Sequence, residues 1–374
     1  MREGIDSRNE ELDFDVVFLL STLMLLVVGT VMVYSASFFI SKENFGTGTA
    51  LTLRRMWHLI IGIAIMLGIM HIDYRKLLNR TLIYSLLAAG IVSLVLCFVP
   101  GIGMSAGHAR RWVHLVFFNY QASELTKIAL ILYMASFLAR KAKDIDDFST
   151  GVLPILLVNG IAALLVLVEP DFGTAAIIGS WAVINLFVAG MRLKHLGILL
   201  SAGIPAVAIL MVIEPYRKAR LTAFINPWED MQGIGYQIIQ SLVAFSKGGI
   251  FGSGLGQGSQ KLFFLPAPHT DFIFSVLGEE IGFLGVAGVV ALFGIWIWRG
   301  LTIAKATNDA FGFYLAICSV TLVALQAVIN MGVALSLFPT TGIALPFFSY
   351  GGTTLVTTMI ASGLILSVSK GARL

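Results

Sequence analysis

Residues 265–280 read LPAPHTDFIFSVLGEE, and the apolar character that begins at Phe272 continues to Trp298. A polar interval thus ends where a run long enough to cross a bilayer begins, about 20 residues being enough for that. The junction carries an imidazole, His269, and a carboxylate, Asp271, at the lip of the run. Ionisable groups are costly at such a boundary and mark function by default. Pro266 and Pro268 stiffen the entering backbone by fixing φ.

Working outward, runs of the same kind cover residues 16–35, 56–70, 82–99, 123–138, 152–168, 172–190, 196–213, 272–298, 311–332 and 353–368. Their lengths suit spanning helices, about ten in all. None alternates apolar and polar residues as barrel strands do. Of the 374 residues, 57% are hydrophobic and 12% charged. That is about half the charge of a soluble domain. The mean hydropathy of +0.89 agrees. The expected fold is an all-α polytopic membrane protein forming a single domain over residues 1–374. Runs 56–70 and 123–138 are the least clear, because polar residues stand at their outer ends. Cys97 and Cys318 sit inside apolar runs and read as buried packing residues, not as a disulfide or zinc framework.

Asp6, Glu10, Glu11, Asp13 and Asp15 occupy the place where a signal peptide is positive, so residues 1–15 read as a cytoplasmic tail. An even number of spans puts both termini on one side. With that side cytoplasmic, its short connections carry Arg75, Lys76 and Arg80; Arg140, Lys141 and Lys143; Arg192 and Lys194; Arg299 and Lys305; and Lys370 with Arg373. That is the positive-inside pattern. The net charge of +4 is then explained by loops and lipid headgroups, not by nucleic acid. Arg110 with Arg111, and Arg217, Lys218 and Arg220, fall on the opposite face, where topology does not need them.

The outward loops hold most of the polar chemistry. Residues 100–121 are glycine-rich and include His108, Arg110, Arg111, Trp112 and His114. Residues 214–270, a large extracellular loop between the seventh and eighth spans, exceed the usual length of a structureless connection. Ile234, Ile238, Leu242 and Phe245 recur there at near-helical spacing, predicting an amphipathic helix along the membrane or the bundle. Gly248, Gly249, Gly252, Gly254, Gly256 and Gly258 follow. They fit neither a dinucleotide fingerprint nor a P-loop. They read either as a flexible loop or as backbone approaching a phosphate or sugar. Residues 339–352, rich in Pro, Gly, Ser and Thr, suit broken backbone buried in protein.

Each acidic motif has a structural and a functional reading. Glu124 and Lys127, three apart, share a helix face, as a packing ion pair or as part of a polar cavity. Asp171, in the tight turn Glu169-Pro170-Asp171, would cap the sixth span, and the two acids together suggest support of an active cavity. Asp271 would cap the eighth span or act as a general base, desolvation raising its pKa. His269 lies two residues away and would face elsewhere on a helix. Glu279 and Glu280, deeper in the span, would pair with basic groups on neighbouring helices.

Ala109–Trp112, Gln121–Lys127, Glu169–Thr174, His269–Phe274 and Phe348–Gly352 together resemble the SEDS family of bacterial peptidoglycan polymerases. Motif order, span number and the long loop match too, so the resemblance covers nearly the whole chain. Residues 275–280 look closer to the family's division branch than to its elongation branch, and a sporulation paralogue would look much the same. Ala122 departs from the family's usual proline, which affects the helix start.

The resemblance implies a glycosyltransferase that polymerises lipid II on the outer face of the bacterial cytoplasmic membrane. It matches Asp271 to the catalytic acid, Glu124, Lys127 and Asp171 to polar cavity positions, and Arg110, Arg111 and Trp112 to the first outer-loop motif. It also implies a class B penicillin-binding protein, a transpeptidase, as partner, with other division proteins and membrane lipids around it at the septum. The chemistry fits. A base deprotonates the acceptor's 4-hydroxyl, a lipid pyrophosphate leaves, and Arg110, Arg111, Arg217, Arg220 and Lys127 supply positive charge. One displacement of this kind inverts the anomeric centre. A divalent cation, Mg or Mn, assisting the pyrophosphate stays open, although no Asp-x-Asp stands among the outer residues. Two other readings remain: a lipid II flippase using Glu124, Lys127 and Asp171 as a pathway, and a non-catalytic division scaffold.

Overall fold

The computed structural model describes residues 14–106, 109–114, 119–262 and 264–372. The tail acids Asp6, Glu10, Glu11 and Asp13, together with His108 and Arg373, lie outside the described residues. Helices α1 (Val16–Phe45), α2 (Ala50–His71), α3 (Arg80–Leu96), α4 (Ala122–Lys141), α5 (Leu153–Val168), α6 (Phe172–Val188) and α7 (Leu193–Ile213) come first. Two loop helices follow, α8 (Pro215–Ile225) and α9 (Ile234–Gly248), then α10 (Ile273–Ala306), α11 (Ala310–Ala334) and α12 (Gly352–Ser369).

A helix stands over each expected span. Among the described residues, eight helical segments are long and apolar enough to cross a membrane, those of α2 and α4 among them. The other two, α3 and α6, have 17 residues each, the lower end of the spanning range. The chain is a multi-pass membrane protein. Helices α4, α11 and α12 form its centre and bury most of their surface. Their apolar residues surround the axis, as a helix packed on all sides requires. No residue of α7 is buried, so this helix stands against the bundle's margin.

One end of the bundle is closed by charge. Asp15 caps α1 through Phe18 N at 2.7 Å, pairs with Arg299 of α10, and takes its own N–H bond to Ser369 Oγ of α12. Both ends of the helical core therefore meet there. The opposite end carries structure that the apolar pattern alone does not announce. Three antiparallel strands, β1 (Gly103–Ala106), β2 (Ala109–His114) and β3 (Asn119–Gln121), fold the first outer loop into a small sheet.

The expected loop helix is present as α9, with a buried face somewhat rotated from the predicted one. Ile238, Ile239, Ser241 and Ala244 point inward, while Leu242 is exposed. It packs on the first part of α10, which breaks at Gly282 (φ 67°). A β-carbon at Gly282 would meet Gly252 N at 2.3 Å, so the two backbones can touch there only without side chains. The loop after α9 repairs the break. Phe283 N and Leu284 N donate to Gly249 O and Ile250 O, and Ser253 N and Gly254 N donate to Glu279 O and Glu280 O. Broken helices persist at membrane depth when protein re-satisfies the freed backbone in this way.

This geometry corrects the reading of the glycine run. It is neither a flexible loop nor a phosphate cradle, because the protein's own carboxylates fill it. Ser259 N and Oγ donate to Glu279 Oε1 at 2.8 and 2.9 Å, Gln260 N to Glu279 Oε2 at 3.0 Å, and Gly256 N to Glu280 Oε2 at 3.0 Å. Glu280 also pairs with buried Lys261 at 2.6 Å and accepts from Ser35 of α1. Its cation thus comes from the loop, where a neighbouring helix was expected.

Candidate functional site

Residues 335–351, between α11 and α12, are irregular backbone, of which 343–349 are mostly buried in the bundle. Arg55 of α2, itself buried, holds this segment by donating to Phe347 O and to Ser349 O, the latter at 2.7 Å. The segment in turn holds the chain that carries Asp271. Ser349 Oγ donates to Thr270 O at 2.6 Å and Tyr350 N to His269 O at 2.8 Å. From α11, Asn330 Nδ2 donates to Asp271 O at 2.9 Å. The segment that carries Asp271 is therefore fixed through its backbone carbonyls. Phe272, not Asp271, is the N-cap residue of α10 and makes no side-chain cap bond. The capping reading falls away.

Asp271 lines a cavity of about 760 Å³ whose wall includes Arg111, Arg217 and Arg220, with Phe172, Met211 and Thr340–Gly342 between them. That is the size of a site for a substantial ligand. Burial raises the Asp271 carboxyl to about 6, against the opposing pull of Arg220 and Arg111. A carboxylate so tuned is still mostly ionised at neutral pH and has gained basicity.

The three arginines are held individually. Arg111, on β2, lies 3.4 Å from Asp171 Oδ2 and donates to Pro170 O at 3.1 Å. Arg220 donates to Thr340 O at 2.9 Å and to Tyr216 Oη at 2.5 Å. Arg217 sits over the Phe172 ring at 5.6 Å. Asp171 caps α6 as predicted, through Thr174 N and Oγ1 at 3.1 and 2.9 Å, and positions Arg111 from behind the cavity wall. Its neighbour Glu169 is buried beside the Cys97 thiol, and burial raises its carboxyl to about 8.

The other nominated residues lie apart from this wall. Glu124 and Lys127 form a buried pair at 2.8 Å, with Thr354 Oγ1 of α12 donating to Glu124 at 3.0 Å. Arg110 is exposed and Trp112 half-buried on the sheet. His269 sets its ring against Tyr350, 5.6 Å between centroids, burial lowers its pKa, and it is not among the residues lining the cavity. Sequence reasoning missed Arg55, Asn330, Thr340 and Thr341. A lone Asn inside the run 311–332 was the available signal for Asn330, and the Arg54–Arg55 pair just before the run 56–70 was the signal for Arg55.

Among the described residues no group of three or more His, Cys, Asp or Glu could hold a metal ion. The acids nearest Asp271 do not assemble a divalent-cation donor set, so no step is routed through one.

The fold and this cavity define a polytopic membrane protein with a basic-walled cavity that has Asp271 and the exposed Glu214 on its wall. The chain belongs to the FtsW/RodA/SpoVE family of cell cycle proteins, whose profile matches residues 16–374. The probable peptidoglycan glycosyltransferase FtsW of Geobacter metallireducens is 44% identical over 356 residues, covering 95% of this chain and 94% of its own. Stage V sporulation protein E of Bacillus subtilis is 40% identical over 359 residues, covering 96% and 98%. Among solved structures, the rod shape determining protein RodA of Thermus thermophilus is 26% identical with a TM-score of 0.69, covering 97% and 99%. A chain from a peptidoglycan synthase complex that coordinates polymerization and crosslinking is 27% identical with a TM-score of 0.77, covering 96% and 98%.

Proposed function

We propose that this protein is a peptidoglycan glycosyltransferase that polymerises lipid II at the outer face of the cytoplasmic membrane, with Asp271 as general base. The observation that carries the reading is the desolvated Asp271 carboxylate on the wall of a large cavity whose cations are three arginines, the other wall carboxylate, Glu214, being exposed. Asp271 removes the proton of the acceptor's 4-hydroxyl as that oxygen attacks the anomeric carbon of the donor. The bond to the lipid pyrophosphate breaks and its electron pair leaves with the phosphate. Arg111, Arg217 and Arg220 stabilise that developing charge, for which planar guanidinium groups are suited. The displacement inverts the anomeric centre. Asp171 acts through Arg111, and the Glu124–Lys127 pair supports the bundle beneath the site.

The cavity lies at the end of the bundle opposite Asp15 and Ser369, in keeping with cytoplasmic termini and an extracellular 214–270 loop within one domain. The 44% identity to an FtsW supports a role in division at the septum. The likeness to a chain of a synthase complex that couples polymerization to crosslinking supports a class B penicillin-binding protein as partner. The test is glycan-chain formation from purified lipid II. Asp271→Asn and Asp271→Ala, folded and inserted, should lose polymerisation; retained activity in both would remove Asp271 from the mechanism. A tagged copy should collect at midcell.

A further inference from the structure

A second cavity, of about 20 Å³, adjoins the first and shares Asp271, Arg220, Thr340 and Thr341 with it. Its separate wall includes Gln237 of α9 and Asn330 and Val333 of α11. This volume admits one water, which needs roughly 10–15 Å³ and two to four polar partners, and is too small for a sugar or a phosphate. Four of the lining residues each carry a buried polar atom with no protein partner: Arg220 Nε, Asn330 Oδ1, Thr340 Oγ1 and Thr341 Oγ1. One is a donor, one an acceptor and two are hydroxyls that serve as either. Such a mixed set suits water better than an anion.

Resting on the polymerase reading, we infer that this chamber holds a single water that carries the proton away from Asp271 after each glycosyl transfer. Asp271 ends the displacement as a neutral acid and must lose its proton before it can act again. The main cavity is then filled by the lengthened glycan and the departing lipid, so an exit on another side is useful. In the chamber the carboxylic O–H donates to the water, which releases one of its own hydrogens towards outer solvent past half-buried Gln237. The transfer is concerted, because Arg220 beside the water disfavours a hydronium ion. Atoms balance: one proton leaves the acceptor hydroxyl and one reaches solvent, while the carboxylate is restored.

Two variants test this in polymerisation of purified lipid II. Val333→Ile adds a methyl group to the chamber, and Thr341→Val removes a hydroxyl while keeping its shape. Both should lower steady-state kcat about tenfold or more and enlarge the solvent deuterium isotope effect, and Val333→Ile, at a residue that lines the chamber and not the main cavity, should leave KM for lipid II unchanged. In Val333→Ile the first bond formed after rapid mixing should keep its rate, since Asp271 starts ionised. Thr341→Ser should restore most of kcat. Unaltered kcat and isotope effect in both variants would overturn the inference, as would equal loss in Thr341→Ser and Thr341→Val, which would mark a packing role. Failure of the base reading itself would look different, with Asp271→Asn still polymerising.

Discussion

Asn330 donates its amide to two backbone carbonyls at once, Asp271 O at 2.9 Å and Ile343 O at 2.6 Å. A residue inside α11 thereby ties the catalytic segment to the re-entrant chain between α11 and α12. The side chain of Asp271 projects from a backbone fixed on two sides.

Loss of that tie should harm catalysis more than binding. For Asn330→Ala we expect kcat to fall by about 10²-fold, the cost of roughly 1 Å of misplacement. KM for lipid II should change little. Steady-state polymerisation at varied lipid II checks both numbers.

The pH dependence follows from Asp271. Its carboxyl, raised to about 6 by burial, must be ionised to act as base. Activity should therefore rise with pH and level off above that value, with half-loss near pH 6 in kcat/KM. Arg220 is the largest influence holding the value down. Arg220→Gln should shift this acidic limb to higher pH, in addition to lowering the maximum. A limb that stays in place in Arg220→Gln, or that appears near pH 4 in the native protein, would contradict the assignment.

Glu169 behaves in the opposite sense to a paired acid. Its folded value of about 8 exceeds its ordinary 4.5, so the folded chain holds this proton more tightly than the unfolded chain. Stability from this group declines as pH rises from about 4.5 to about 8 and is constant beyond. Glu169→Gln should raise the melting temperature by a few degrees at pH 8, match the native protein at pH 4, and keep polymerisation. Thermal unfolding in detergent at the two pH values is the measurement.

Lys261 and Glu280 pair at 2.6 Å with almost no exposure. Removing one partner leaves a buried charge, at a cost of about 3–5 kcal/mol. Lys261→Met and Glu280→Gln should each melt far below the native protein, and the double variant should recover part of the loss. If the two single losses simply add, the pair is not coupled.

The sequence by itself determined the class of fold. Apolar runs at 16–35, 272–298 and the rest cannot be soluble, and a lipid-exposed backbone must close its hydrogen bonds within each run. The local bonds were legible for the same reason. Asp171 capping α6 and Lys127 reaching Glu124 depend on residues three apart. Asp271 was legible as a candidate because a carboxylate at a span's edge is conspicuous. Glu124, Lys127 and His269 were equally conspicuous, and nothing local separated them from the cavity wall.

Tertiary structure made that separation. Arg111 and Arg220 face Asp271 across chain intervals that no periodicity relates. Arg55 reaches residues 347 and 349 from another helix, and Asn330 reaches Asp271. The glycine run was misread because its ligands, Glu279 and Glu280, lie beyond the loop and on the far side of Asp271 in sequence. Hydrophobicity and capping act within a few residues and survive in the order of the chain. Ion pairs and carbonyl bonds between distant segments exist only once packing brings them within about 3 Å, and the cavity is made of those.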